Sequence, residues 1–418
     1  MAQEDIIFRA SPAEILSGLH PSLPFDEAPL WQEGENVIFR DGGVRPAIGS
    51  VILFNRLESD PAVGGQEAII GGNKYIFWGN RQSLFRWQEA GSPADISRVS
   101  SYSGIRDESA SQRATLWSML HWGDQILATN GVDPLQVSAD PASAGIFADL
   151  DTTAVFTTAE IVAPVRDFVL ALNLSIGGDV IGWADAGSLT GWAATAGGES
   201  GQLQIRGLGS DIVAAAALGD GLAIYGANRM HHASFVGSPN FIGERHLLDG
   251  IGAVSKHSVA AAGRLHYGFG PRGIWQTDGF QFKYIDQPDI HDFIFNDLNT
   301  NQISKAVSWN DQALDTVFFS YPRAGSLDNN RTIGFDYRTG IWSILSYGRS
   351  GALSQSIFAF AIHMTALGEI LGQPDETAPI EQGGIPLKLT PLDANIVVGF
   401  GEGRFGQGGF GGKQTVAG

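Results

Sequence analysis

One unit recurs along this chain: a turn residue, a short apolar run, a second turn and another apolar run. It begins near Gly72 (GNKYIFWGNRQSLFRW), Gly123 (GDQILATNGVDPLQV), Gly219 (GDGLAIYGANRMHHASF) and Gly263, with looser copies at Asp167, Asp311 and Leu367. Successive starts lie 51, 44, 52, 44, 48 and 56 residues apart. Apolar runs this short, bounded by Gly, Asp and Asn, read as strands joined by tight hairpins. A repeat of roughly 40 to 50 residues is the length of one four-stranded propeller blade, and radial repetition of blades hides most sheet edges. The chain therefore reads as all-β, a β-propeller of six or seven four-stranded blades. One or two β-sandwiches are the competing architecture, because they too combine short strands with glycine-rich turns.

The densest copy is the stretch 251–285, IGAVSKHSVAAAGRLHYGFGPRGIWQTDGFQFKYI. It predicts strands over 257–261, 265–269, 272–277 and 280–285, broken by Gly263, by Gly270-Pro271 and by Asp278-Gly279. Composition agrees with a turn-rich β fold: Gly is 55 of 418 residues, where ~7% is usual, and charged residues are 17%.

The chain has no cysteine, which excludes disulfides, thiolate metal sites and cysteine nucleophiles. A net charge of −18 argues against a groove that grips nucleic acid, since such a groove needs clustered Lys and Arg to displace counterions. Glu4 and Asp5 stand where a signal peptide has a basic start, so the sequence reads as made in, and not exported from, the cytosol. The longest apolar stretches, 212–225 and 357–371, are interrupted by Asp220 and by His363 and Glu369. They fall short of the ~20 residues of a membrane span, so the chain reads as soluble.

Three segments lie outside the repeat. Residues 1–30 form a polar arm marked by Pro12, Pro21, Pro24 and Pro29, and the propeller body is expected over 31–398. At its start a strand from Asn36 to Arg40, an Asp41-Gly42-Gly43 turn and a return from Val44 make a hairpin suited to closing the ring on the last blade. PDIHDFIFNDLN predicts one short helix, with Pro288 in its first turn and Ile290, Phe293, Ile294 and Leu298 on one face. The tail 399–418 is rich in Gly and sets Phe400, Phe405 and Phe410 at even spacing. It reads either as a disordered tail or as a row of aromatic anchors for a neighbouring subunit.

The motifs that carry chemistry elsewhere fail here on context. Gly268, Gly270 and Gly273, and again Gly406, Gly408 and Gly411, match GxGxxG, but neither set opens a helix, so both read as turns. His231 and His232 are consecutive strand residues and point to opposite faces. Asp286, Asp289, His291 and Asp292 gather at a helix start, where acids are explained by the helix dipole. No GxSxG elbow, HExxH or P-loop lysine occurs, and no carboxylate pair is singled out for glycoside hydrolysis. The reading is of a non-enzyme with no catalytic, cofactor or metal residues.

The sequence resembles the tail nozzle, or packaged-DNA stabilisation, proteins of short-tailed bacteriophages. The likeness lies in WQEGENVIFRDGGVR over 31–45, WGDQILATNG over 122–131 and the Trp183 to Trp192 loop. It continues through FVGSPNF from Phe235, GAVSKHSV from Gly252, GIWQTDG from Gly273 and FDYRTGIWS from Phe335. The resemblance implies a propeller-like structural virion protein, made in the host cytoplasm and placed in the virion tail. Six copies would ring the tail axis below a head-to-tail adaptor, extend the DNA conduit, carry fibre, spike or needle components, and let the genome pass without specific binding at ejection. The Gly-Phe tail matches none of these motifs. The alternative functions are a propeller glycosidase or depolymerase and a receptor-binding tail protein.

Overall fold

The computed structural model describes residues 31–40, 43–47, 50–103, 116–142, 145–152, 155–195, 197–286, 288–353, 357–358, 361–373 and 388–391. Its strands fall into seven four-stranded antiparallel blades. Blade 1 is Gly65–Ile70, Asn73–Gly79, Leu84–Gln88 and Ala94–Asp95. Blade 2 is Ser118–Trp122, Gln125–Thr129, Gln136–Ser138 and Ala148–Asp149. Blade 3 is Ala159–Val165, Phe168–Leu174, Gly177–Trp183 and Gly201–Gln204. Blade 4 is Ala214–Leu218, Gly221–Tyr225, Arg229–Gly237 and Phe241–Asp249. Blade 5 is Val259–Ala262, Leu265–Gly270, Gly273–Thr277 and Phe282–Tyr284. Blade 6 is Val307–Asp311, Thr316–Tyr321, Arg331–Asp336 and Trp342–Leu345. Blade 7 is Gly351–Leu353, Ala361–Met364 and Ile370–Gln373, completed by Val51–Ile52 from the other end of the chain.

The repeat seen in the sequence is the first hairpin of each blade. In blades 1 to 5 this hairpin is a two-residue loop, closed for instance by Leu218↔Gly221 and Ala262↔Leu265. The first loop residue is left-handed in all five: Gly71 (φ 58), Gly123 (φ 59), Arg166 (φ 51), Gly219 (φ 62) and Gly263 (φ 63). That conformation matches the twist of the flanking strands and is strained for a residue with a Cβ, which accounts for the recurring glycine. Leu367 breaks the pattern, because it lies in the second turn of blade 7 and not the first. The longer last interval follows from that slip of one strand.

The first strand of each blade lies beside those of the blades before and after it, and the first strand of blade 7 lies beside that of blade 1. Seven strands thus surround one axis, which excludes the sandwich alternative. Each of the seven blade junctions holds its own apolar cluster. Between blades 7 and 1, Trp78, Phe85 and Trp87 meet Phe358, Ile362 and Met364. Between blades 5 and 6, Tyr267, Phe269 and Ile274 meet Phe319, Phe335 and Trp342. Central strands are therefore buried on both faces, as in Thr316–Tyr321, and their sequences read as continuous apolar runs more than as alternation.

The predicted helix spans Pro288–Asp297 and roofs the junction of blades 5 and 6, with Ile290 and Ile294 buried and Leu298 following them into the same cluster. The hairpin expected to close the ring forms over Val37–Arg40 and Gly43–Pro46 but does not join the last blade. It lies along the outer strand of blade 6: Asn36 N donates to Ile344 O (2.8 Å), and Asn36 and Ser346 bond through their side chains (2.7 Å). The adjacent Val51–Ile52 closes the ring instead. The reason is geometric: with Val37 and Phe39 packed between blades 5 and 6 and Ile38 between blades 6 and 7, the hairpin is already committed to blade 6. A further ladder pairs Trp31–Glu35 with Lys388–Pro391. Phe400, Phe405 and Phe410 lie outside the described residues.

Candidate functional site at the propeller axis

Each first strand presents one unpaired edge to the axis, so the channel is lined by peptide N–H and C=O groups that need partners. The link between blades 4 and 5 supplies some of them. After Gly252, the run Val254-Ser255-Lys256-His257-Ser258 folds into a tight turn held by its own serines. Ser258 Oγ accepts from Ser255 N (3.1 Å) and Val254 N (3.2 Å) and donates to Ser255 O (2.9 Å). Ser255 Oγ donates to Ala306 O, and Ser308 N donates to His257 O (2.7 Å), so the turn is tied to the start of blade 6.

This turn carries Lys256 and His257 across the axis. Lys256 Nζ donates to Leu116 O and Glu160 O (both 2.8 Å) and lies 3.0 Å from Glu160 Oε2. The Lys256 side chain is 6% exposed and that of Glu160 is 12%. His257 Nε2 donates to Trp117 O (2.9 Å). The link between blades 4 and 5 is thereby fastened to the beginnings of blades 2 and 3. Burial first, and the Lys256 charge second, push the His257 pKa down to about 4, so the imidazole is neutral near pH 7 with its proton on Nε2.

The surroundings are shaped to this bridge. Trp117 N donates to Val63 O (2.8 Å) and Trp117 Nε1 to Asn80 O (2.6 Å), fixing the carbonyl that His257 reaches. Gly64, at φ +119, passes so close to Trp117 O that a Cβ would collide with that backbone atom. Around the bridge remains a cavity of about 330 Å³, lined by Gly65, Gln66, Ser118, Val162, Ala215 and Gly351 among others. A DNA duplex, whose major groove alone is ~12 Å wide, does not fit such a space. The ammonium has three acceptors for its three protons and the imidazole one for its single N–H, so the arrangement braces the ring.

The residues singled out in the sequence lie elsewhere. His231 and His232 diverge: His231 Nδ1 is 2.9 Å from Glu244 Oε2, while His232 Nε2 is 3.1 Å from Leu218 O. His291 Nδ1 lies 2.7 Å from Asp286 Oδ2, and burial raises the Asp286 pKa despite that partner. Asp289 is buried and Asp292 exposed on the helix. Gly270 and Gly273 form a strand-to-strand turn, as expected, and the Cβ of any other residue at Gly268 would enter the Trp275 ring. The loop from Trp183 to Trp192 is anchored at Leu189 and Trp192, which join the core between blades 2 and 3, while Ala186, Gly187, Thr190 and Gly191 are exposed. Sequence reasoning missed the Lys256–Glu160 bridge, whose partners are 96 residues apart; its one local sign is a Lys-His pair amid small and apolar residues.

No family model matches the chain, and no curated protein does. Solved structures do. The extracellular domain of a hybrid two component system from B. thetaiotaomicron aligns over 80% of this chain at 10% identity with a TM-score of 0.53. The extracellular domain of a one component system from the same organism aligns over 80% at 9% identity with a TM-score of 0.51. This chain spans 41% of the length of each of these two. A catalytically inactive virginiamycin B lyase from Staphylococcus aureus aligns over 78% of this chain and 98% of its own at 10% identity, with a TM-score of 0.49. Likeness at this identity speaks to the fold alone, and the fold is a seven-bladed β-propeller.

Proposed function

We propose that this chain is a structural virion protein, the ring-forming subunit of a tail nozzle that extends the DNA conduit below the head-to-tail adaptor of a short-tailed bacteriophage. Three things support the reading: the ordered run of motifs resembling that family, the net charge of −18, and the braced axis. The braced axis weighs most. The channel of this propeller is crossed by the chain's own Lys256 and His257, so DNA would travel between subunits, along a lumen they jointly enclose, and not through any one propeller. The chain's net charge of −18 would repel phosphate there and keep a passing duplex from sticking, over the ~10 Å that salt leaves unscreened. Fibre, spike or needle components and the adaptor would dock on the ring.

The test is imaging of the purified full chain, alone and mixed with portal-adaptor assemblies of a short-tailed phage. Closed rings with a lumen wide enough for a duplex support the proposal. Monomers that release sugar from host polysaccharide would point to a depolymerase instead.

A further inference from the structure

Blade 7 is assembled from both ends of the described chain, and a buried cation sits at its closure. Arg349 stands just before the first strand of that blade and is 7% exposed. Its guanidinium donates to Gly348 O (3.2 Å) and to Ser50 Oγ (3.1 Å), beside the closing strand Val51–Ile52, and lies 4.1 Å over the Tyr347 ring. Its backbone is pinned by Ser320 Oγ (2.8 Å) and Asn329 Nδ2 (2.7 Å). Among the described residues no carboxylate is an ion-pair partner of Arg349, and its Nε has no acceptor. An arginine does not shed its charge near neutral pH, so the core holds a cation with no carboxylate in contact, Glu369 attracting it only through space.

Two more orphan groups lie in the same junction. His363, on the second strand of blade 7, is 0% exposed, and neither ring nitrogen has a partner. Burial, and then the Arg349 charge, hold it neutral. Trp309, on the first strand of blade 6, has its ring centroid 5.0 Å from that of His363, and its Nε1 is buried without an acceptor. Buried polar groups in native proteins are paired with protein, water or ligand. Water answers a lone N–H but leaves a charge standing; an anion answers both.

We propose that Arg349, His363 and Trp309 form a site for a small inorganic anion of halide size, bound between blades 6 and 7 where the ring closes. Arg349 Nε, Trp309 Nε1 and one nitrogen of the neutral His363 are buried N–H groups left without an acceptor, a small donor set that suits a compact spherical anion. The anion neutralises Arg349 and staples the closing strand, through Ser50, to the blade beside it. This site is distinct from the axial bridge of Lys256 and His257.

The experiment measures thermal melting of the full chain after exhaustive dialysis into sodium gluconate, titrated with sodium chloride or bromide at constant ionic strength. A saturable rise in Tm with either halide is expected, together with an anomalous bromide peak among the three side chains in crystals. Trp309→Phe removes one N–H with little change of shape and should raise the half-saturating halide concentration about tenfold. Arg349→Met should abolish the halide response; should it fail to fold, Trp309→Phe carries the test. Identical melting in gluconate and chloride, or a bromide map empty at this junction, would overturn the proposal and leave water as the occupant.

Discussion

Lys256→Met tests whether the axial bridge holds the ring. The substitution keeps the length of the side chain and removes the ammonium, leaving three acceptors without their donor: Leu116 O, Glu160 O and Glu160 Oε2. Losing one partner of a buried ion pair typically costs about 3–5 kcal/mol, because the other charge stays buried alone. Glu160 is 12% exposed, so water relieves a little of this, and the lower end, about 3 kcal/mol, is the expected loss. Urea unfolding followed by tryptophan fluorescence reads it as a lower midpoint at unchanged slope. Lys256→Met combined with Glu160→Leu removes both charges and should recover at least half of the loss, since a neutral packed pair avoids the desolvation that the ion pair must overcome. A single variant within about 1 kcal/mol of wild type would refute the reasoning, for that is the behaviour of an exposed pair. So would a double variant whose loss is the sum of the two singles.

Gly64→Ala should destabilise by about 1–3 kcal/mol or more in the same assay, because its Cβ meets the Trp117 carbonyl at a backbone angle that L-residues avoid. His257 binds a proton more weakly folded (about 4) than unfolded (~6.5), so between those values the unfolded state carries the extra proton. Stability from this group is therefore full above ~6.5 and falls as pH drops towards 4, by about 3 kcal/mol; His257→Gln should lack that part of the pH profile, compared by unfolding at pH 7 and 4.5. Duplex DNA should not shift in gels at ~150 mM salt with the isolated chain, and sub-micromolar binding would contradict the reading of its charge. Replacing Phe400, Phe405 and Phe410 together with Ser should weaken ring assembly or adaptor attachment while leaving the melt unchanged; a variant that assembles like wild type makes that segment dispensable.

The fold was largely legible because the repeat is written in turns. A two-residue hairpin needs a left-handed residue at a fixed place, so Gly71, Gly123, Gly219 and Gly263 mark blades 1, 2, 4 and 5 directly, and only blade 3, with Arg166 there, lacks the glycine among the first five. The motifs behind the family resemblance are partly of the same kind. Asp278 Oδ1 accepts from Phe280 N and Gln281 N (both 2.9 Å), Asp336 Oδ1 from Arg338 N (2.8 Å) and Asn130 Oδ1 from Asp133 N (2.9 Å). Such residues report turn geometry, which is why they show a propeller more readily than a function. The blade count stayed at six or seven because blade 7 is split between the ends of the chain, and a two-residue closing strand such as Val51–Ile52 carries no periodicity. The axial bridge was illegible for a different reason. Lys256 bonds to backbone carbonyls at Leu116 and Glu160, and a carbonyl has no residue identity to read. Strand direction separates His231 from His232, as expected of consecutive strand residues, and Asp286 lies against His291.

Light scattering on the full chain during size-exclusion chromatography bears most directly on the nozzle reading. A ring subunit predicts a discrete species six times the 44.5 kDa of one chain, in equilibrium with little else as concentration rises. A single species of 44.5 kDa at every concentration, with and without the adaptor, would contradict it.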